Sequence, residues 1–579
     1  MEALPKHLRK YVVEQNYAKY TPVEQASWRY ILRQLKAFLS GHAHETYLEG
    51  LEKTGIEIES IPHIENISAK LQKFGWRAIP VSGFIPPAAF MELQSLGVLP
   101  VASDMRTLDH LLYTPAPDIV HEAAGHAPIL ANREFADYLR QYAQISRKAL
   151  ISKEDLNLYE AIRELSDIKE NPVSLPEQIK ASEDKLERVS KSIKYISEAA
   201  ELGRMNWWTA EYGLIGDLKN PKIYGAGLLS SVGEAKWCLS EQVKKIPLTV
   251  DCIKQGYDIT EPQPQLFVTP DFKALVKVLN EMADQMAFRK GGMTSVQKAL
   301  RAESVNTIQF NSGIQISGVV TEALTPPHPS QEVAYLCFQG PCQLSYNDQE
   351  LGGHGTTYHA QGFGTPVGKL KKFPSLCPSE LSDSQWDSLN AAPGKKLELE
   401  FTSGVRVTGT FNGRVEQEGK TILLSLTGAK AIYQDRVLFD PSWGTFDMAI
   451  GSSIPSVFGG AADREAFGET DDFVAARVPQ RTYSDEEKFF QSQYARVREI
   501  REKKIQDTEL EKELCKILEN HDQRFKTDWL LRLEAYELVS QRARNSNLKR
   551  KLQADLERIA SLDSKVSSMI QDGLAHAQL

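Results

Sequence analysis

The stretch PDIVHEAAGH, residues 117–126, sets two histidines around a glutamate in a pattern close to H-E-x-x-H without matching it. In that zinc-protease motif the histidines stand four apart on one helix face, and the glutamate between them serves as base. Here His121 and His126 stand five apart. Five positions rotate roughly 140° around an ideal α-helix, so an undistorted turn cannot aim both imidazoles at one metal. Three readings are open at this point: a failed protease motif, a pair of core histidines, or a metal site of another kind. Gly125 allows the backbone to depart from ideal helix, and Pro128 is expected to end the helix two residues beyond His126.

A second stretch weighs on that choice. In MNWWTAEYGLIGDLKNPKIYGAGLLSSVGE, residues 205–234, Glu211 sits in an apolar, aromatic helical context. A carboxylate there is costly to bury without a partner such as a metal. Two imidazoles and one carboxylate, with the remaining positions open, form the facial triad that suits non-haem Fe(II) and dioxygen chemistry.

The rest of the chain sets the frame. Its 579 residues, 41% of them hydrophobic, predict several domains with real cores. The N-terminal MEALPKHLRKYVVEQN has no apolar h-region, and no run approaches 18 apolar residues, so neither secretion nor a membrane partner is expected. Six irregularly spaced cysteines make no disulfide framework, which points to the cytoplasm. Cys337 and Cys342 could form half of a zinc site, but no second pair completes it, and buried thiols are the plainer reading. A formal charge of −8 gives no case for nucleic-acid binding.

The expected architecture is multidomain: a mostly α catalytic domain, then a small β domain and a helical C-terminal tail. Residues 1–292 carry amphipathic segments such as EQASWRYILRQLKAFL. Within them, about 150–203 is Lys/Glu-rich and reads as a helical insertion packed outside the pocket. From 303 to 440 the period changes to two, as in TIQFNSGIQISGVV, with Gly and Asn-Gly turn signals. The Gly/Ser/Pro-rich 441–483 is expected to link domains. Ser484 and Glu487 then make a capping box that opens a helical tail, 484–579. An apolar stripe with Trp529 and Leu533 makes that tail a candidate for homo-oligomer contacts.

Four pieces, IPHIENISAKLQKFGWRAIPVSGFI, LLYTPAPDIVHEAAGHAPIL, WWTAEYGLI and KIYGAGLLSSVGE, are long, ordered and specific. In them residues 1 to about 290 resemble the catalytic domain of the tetrahydropterin-dependent aromatic amino acid hydroxylases, most closely the phenylalanine branch. The resemblance implies that His121, His126 and Glu211 hold Fe(II). It also implies that Glu122 faces the pterin side of the iron pocket, and that a tetrahydropterin stacks on Phe90 with its edge bonded near Ile85 and Pro87. Arg106 matches the arginine that clamps the carboxylate of the aromatic amino acid substrate. Thr114, Pro115 and Ser230 match residues of the amino-acid site, and Trp207 and the backbone at Gly227 would wall the ring. From spacing, Asp118 is expected to orient His121 as an acceptor.

Two positions depart from the family pattern. Pro100 stands where many relatives carry a histidine, and Asn206 where many carry an aromatic, so ring selectivity and pterin positioning do not carry over. The implied reaction is a monooxygenation in which reduced pterin and Fe(II) activate dioxygen for attack on the ring, serving phenylalanine catabolism or tyrosine supply. The same motifs leave a tryptophan or tyrosine hydroxylase open, and more distantly a zinc hydrolase or a degenerate regulatory domain. No ACT-like regulatory region is expected before the catalytic domain, and all site groups are expected within residues 1–292.

Overall fold

The computed structural model describes residues 4–83, 85–111, 117–170, 174–258, 261–326, 332–468, 483–503, 506–542 and 546–577. The catalytic part is built on the long helix Pro22–His42. It opens with a capping box: the Thr21 hydroxyl accepts from the Glu24 N–H, and the Glu24 carboxylate accepts from the Thr21 N–H. Strands β1 (Arg77–Val81) and β2 (Val98–Ala102) pair in parallel, and the helix Pro87–Ser95 forms their crossover. A small sheet takes β3 (Leu214–Ile215), β4 (Lys222–Ile223), β5 (Lys244–Pro247) and β6 (Gln265–Thr269) in the order β4-β3-β6-β5. No described helix is long and apolar enough to cross a membrane.

The β region forms two antiparallel sheets. The first takes β7 (Val305–Gln309), β8 (Ile314–Leu324), β9 (Tyr335–Tyr346), β10 (Gln349–Glu350) and β11 (Gly362–Pro366). The second takes β12 (Lys396–Glu400), β13 (Val405–Gln417), β14 (Lys420–Tyr433) and β15 (Arg436–Phe439). Here the expected linker 441–483 needs correction. Its first half supplies β16 (Phe446–Ala449), paired with β14, and β17 (Ser456–Gly459), paired with β7. Gly, Ser and Pro fill the turns between these short strands, which hides two strand pairings in a loop-like composition. Residues 469–482 of the expected linker lie outside the described residues. Cys342 packs in one β core and Cys337 against the other, so they share no site.

The insertion is a hairpin of helices Lys153–Glu170 and Pro176–Ser192, tied by Lys169–Glu183 (2.9 Å) and Lys185–Glu164 ion pairs. The β region buttresses the segment just before it. Gly459 N–H donates to Lys148 O (3.2 Å), and Arg464 reaches both Arg147 O (3.0 Å) and the Glu92 carboxylate (3.3 Å). A side chain at Gly459 would lie 2.0 Å from Ala149 O, so only glycine allows this approach.

The apolar stripe of the tail packs against the chain itself. Trp529 and Leu533 are buried in one continuous apolar core with the helix Pro22–His42. Trp529 meets Tyr30 edge-on at 5.1 Å. Between the apolar contacts lies a buried charge network. Arg29 donates to both Glu534 oxygens (3.0 and 3.1 Å from Nε), Arg33 pairs with Glu537 (2.7 Å), and Arg501 bridges Glu534 and Glu537 (3.4 and 3.1 Å). The stripe read from sequence as available to a second chain is thus covered by the chain's own first helix. The capping box at Ser484 and Glu487 forms as expected, with the hydroxyl accepting from the Glu487 N–H at 3.2 Å.

Candidate metal and substrate site

The histidine spacing is explained by the local helix type. Val120–His126 is a π-helix, in which N–H groups bond five residues back, as Ala127 N–H does to Glu122 O. Five positions then close about one turn, and His121 and His126 come to one face. The helix does not stop at Pro128, as the sequence suggested. It passes into a short α-turn, Ala127–Ile129, and ends one residue beyond Pro128. Glu211 lies on a second π-turn, Trp207–Glu211, closed by Tyr212 N–H to Trp207 O at 2.8 Å. Glycines bring the pieces together: a Cβ on Gly125 would meet Ala226 O at 2.6 Å, and one on Gly225 would meet Glu211 O at 2.4 Å.

Donor atoms of three side chains converge. His121 Nε2 and His126 Nε2 lie 3.2 Å apart, and Glu211 oxygens lie 3.4 Å from the first and 3.3 Å from the second. With bonds of ~2.1 Å, such edges subtend roughly 100° at a central ion, within the range of a facial three-ligand set. The tautomer of His121 follows from its neighbour. Ser230 Oγ donates to Ala226 O (2.7 Å), so it accepts from His121 Nδ1 (3.1 Å) and leaves the Nε2 lone pair facing the other donors. Burial by itself raises the Glu211 carboxyl, yet the His126 and His121 imidazoles hold it well below the usual range. This donor set fits a divalent transition metal.

Several residues take partners other than those expected. Asp118 accepts from the backbone N–H of His121 (3.0 Å) and does not reach its imidazole. Its carboxylate is instead gripped by Arg106, with Nε at 2.7 Å and Nη2 at 2.8 Å. Burial opposes the Asp118 charge, but Arg106 holds its carboxyl below the ordinary value. Ser230, expected at the substrate, lines the cavity, and its hydroxyl also bonds His121 and Ala226. Asn206 Nδ2 is 3.4 Å from Glu211 Oε1, so the atypical residue sits directly beside a donor. Glu122 is buried with Oε2 unpartnered, and burial, with Glu211 and Asp118 adding to it against the pull of His126, pushes its carboxyl up to about 8.

A cavity of about 390 Å³ opens over this cluster. Arg106, His121, Glu211, Gly227 and Ser230 form one wall. Trp207, Tyr212 and Tyr257 form an aromatic side, in which Trp207 stacks on Tyr212 (4.5 Å, 25°) and on Tyr257 (4.2 Å, 8°). Trp207 Nε1 is buried without a partner. Tyr257 was not foreseen, because a lone tyrosine outside any motif carries no signal. Pro87 reaches the cavity together with Ala88 and Met91. Ile85 and Phe90 belong to the neighbouring apolar cluster of β1 and β2, where Phe90 is partly exposed. Pro100 lies within β2, opposite Ile79. Ile151, Ala199, Leu202 and Gly203 also line the space, so the ends of the insertion are wall and only its hairpin lies outside. Thr114 and Pro115 lie outside the described residues.

A site with two imidazoles, one carboxylate and an adjacent aromatic-walled cavity suits a non-haem metal oxygenase type of centre. Comparison with known proteins agrees. The profile of the "Biopterin-dependent aromatic amino acid hydroxylase" family matches residues 9–156 and 186–314, breaking where the hairpin is inserted. The chain is 32% identical over 271 residues to the phenylalanine-4-hydroxylase of Pseudomonas aeruginosa, covering 46% of this chain and 86% of that protein. It is 30% identical over 269 residues to that of Mesorhizobium japonicum, covering 81% of it. A crystal structure of Chromobacterium violaceum phenylalanine hydroxylase with bound oxidized Fe(III) is similar at 25% identity and a TM-score of 0.38, over 49% of this chain and 90% of that one. The chain belongs to the biopterin-dependent aromatic amino acid hydroxylases.

Proposed function

We propose that the protein is a phenylalanine 4-monooxygenase, converting L-phenylalanine to L-tyrosine with tetrahydropterin, dioxygen and Fe(II). The observation that carries this is the convergence of His121, His126 and Glu211 within 3.4 Å on the wall of an aromatic-sided cavity that also holds Arg106. His121, His126 and Glu211 would hold the iron. Iron and reduced pterin together would supply the activated oxygen for the ring.

The protein's own share is binding, orientation and exclusion of water. Asp118 occupies one edge of the Arg106 guanidinium and fixes its plane. The edge carrying Nη1, only 3.5 Å from Ser230 O and weakly held there, is offered to the substrate carboxylate. Trp207, stacked rigidly between two tyrosines, and the backbone at Gly227 wall the aromatic ring. Ser230 keeps the His121 proton on Nδ1, so that Nε2 stays a ligand. Glu122 can present its buried carboxyl to a polar pterin edge, while Pro87, with Phe90 and Ile85 behind it, borders the pterin side. Six free cysteines accord with a cytoplasmic enzyme. The tail acts within the chain, by covering the first helix.

The deciding experiment sets phenylalanine, tyrosine and tryptophan side by side with a reduced pterin and Fe(II), following hydroxylated product by mass. Phenylalanine is expected to give the highest kcat/KM with tyrosine as product. Exclusive turnover of tryptophan or tyrosine would replace this reading with the corresponding member of the family.

A further inference from the structure

The loop between β10 and β11 repeats the spacing that opened the sequence. In GGHGTTYHAQG, residues 352–362, His354 and His359 also stand five apart. Here a strand connection, and no helix, brings them together. His354 O accepts from Leu344 N–H (3.0 Å) and His359 O from Cys342 N–H (3.1 Å), so both histidines are pinned along β9. His354 Nδ1 and His359 Nε2 lie 3.2 Å apart, the same separation as in the catalytic pair.

The third group comes from the other sheet. Asp447 lies on β16, opposite Ser425 of β14, and one of its oxygens falls within 4.8 Å of a ring nitrogen of each histidine. Asp447 is 6% exposed and His359 8%, while His354 borders solvent. Among the described residues Asp447 makes no ion pair with lysine or arginine. Its side-chain partner is the Tyr358 hydroxyl, which donates to Oδ2 at 3.0 Å. A buried carboxylate held by one neutral hydroxyl and facing two imidazole nitrogens lacks a countercharge, which makes burial costly. A cation among the three supplies it. Two nitrogens and one carboxylate, without thiolate, suit zinc or a similar first-row divalent ion better than calcium or magnesium, which favour all-oxygen shells.

We propose that His354, His359 and Asp447 form a second divalent transition-metal site that clasps the β10–β11 loop of one sheet to β16 of the other. Tyr358 orients the carboxylate, and the solvent-facing side of His354 leaves room for a water ligand. This site belongs to the β region alone and is independent of the reading given to the catalytic cavity.

The test uses the full chain, stripped with a chelator, reloaded with excess Zn(II), desalted and analysed for bound metal. Wild type is expected to retain two zinc ions per chain. His126→Ala, His354→Ala and Asp447→Asn should each retain one, and the His126→Ala/His354→Ala double variant none. In the His126→Ala background Zn(II) should raise the thermal midpoint, and adding His354→Ala should abolish that rise. His354 is partly exposed, so its replacement leaves the packing of the loop in place even if a His359 variant fails to fold. Retention of a single zinc by wild type, lost with His126→Ala, would overturn the proposal. So would two zinc ions in both His354→Ala and Asp447→Asn, which would mean that the imidazoles merely share an N–H···N hydrogen bond.

Discussion

Replacing Gly125 by alanine adds one methyl group where the two halves of the metal site meet. The new Cβ would lie 2.6 Å from Ala226 O and 3.1 Å from its carbonyl carbon. Ordinary C···O contact begins near 3.3 Å, so the two backbones must part by about 0.7 Å. The Ala226 turn has little room to retreat: a Cβ at Gly225 or at Gly227 would lie 2.4 or 3.1 Å from Glu211 O, so both glycines press on that backbone. The π-turn with His121 and His126 must therefore move. Overpacking of this kind costs about 1–3 kcal/mol of stability. A shift of that size also exceeds the ~0.2 Å tolerance of a metal site, so affinity should fall by roughly 10- to 100-fold. Cobalt(II) titration by visible absorption and thermal unfolding of the metal-free protein read the two effects separately. Gly41→Ala is the control. It lies in the helix Pro22–His42, outside the cavity lining, with nothing within 4 Å of its Cβ, and should be neutral or stabilising by up to about 1 kcal/mol. A Gly125→Ala protein with wild-type cobalt affinity and wild-type melting would refute the close-approach argument.

Glu534→Ala leaves Arg29 and Arg501 buried beside too few carboxylates, and urea unfolding should show a loss of about 3–5 kcal/mol; a loss below about 1 kcal/mol would mean the tail is held by its apolar contacts alone. Ser230→Ala removes the acceptor from His121 Nδ1, and iron affinity should drop about 10-fold with little change in folding; unchanged affinity would assign the imidazole's orientation to packing. Burial pushes the Glu234 carboxyl up to about 7, against a hydrogen bond with Tyr212. The folded state then binds this proton more tightly than the unfolded chain, so its contribution is complete below the unfolded carboxyl value. That contribution is lost as pH rises toward about 7, up to roughly 3 kcal/mol in all. Glu234→Gln should flatten the stability profile across that window, and an unchanged profile would move the effect to another group.

The residues whose donor groups converge were legible in the sequence because their types and order are local: two histidines in PDIVHEAAGH, a glutamate in WWTAEYGLI, and an arginine just before them. The helical and β regions were legible too, since periods of 3.6 and 2 report which face is buried. The rest depended on contacts between distant segments. A π-helix forms where packing against Ala226 favours it, and no composition marks the extra residue in the turn. Arg106 and Asp118 are each plausible partners of several groups, and only the fold joins them. β16 and β17 look like linker because short strands draw their order from the strands they pair with, β14 for β16 and the distant β7 for β17, and hardly from their own propensity. The tail's apolar stripe announces that it must be covered without saying by what. The helix Pro22–His42 covers it because Arg29 and Arg33 meet Glu534 and Glu537 there, a charge match that exists only once both ends of the chain are folded together.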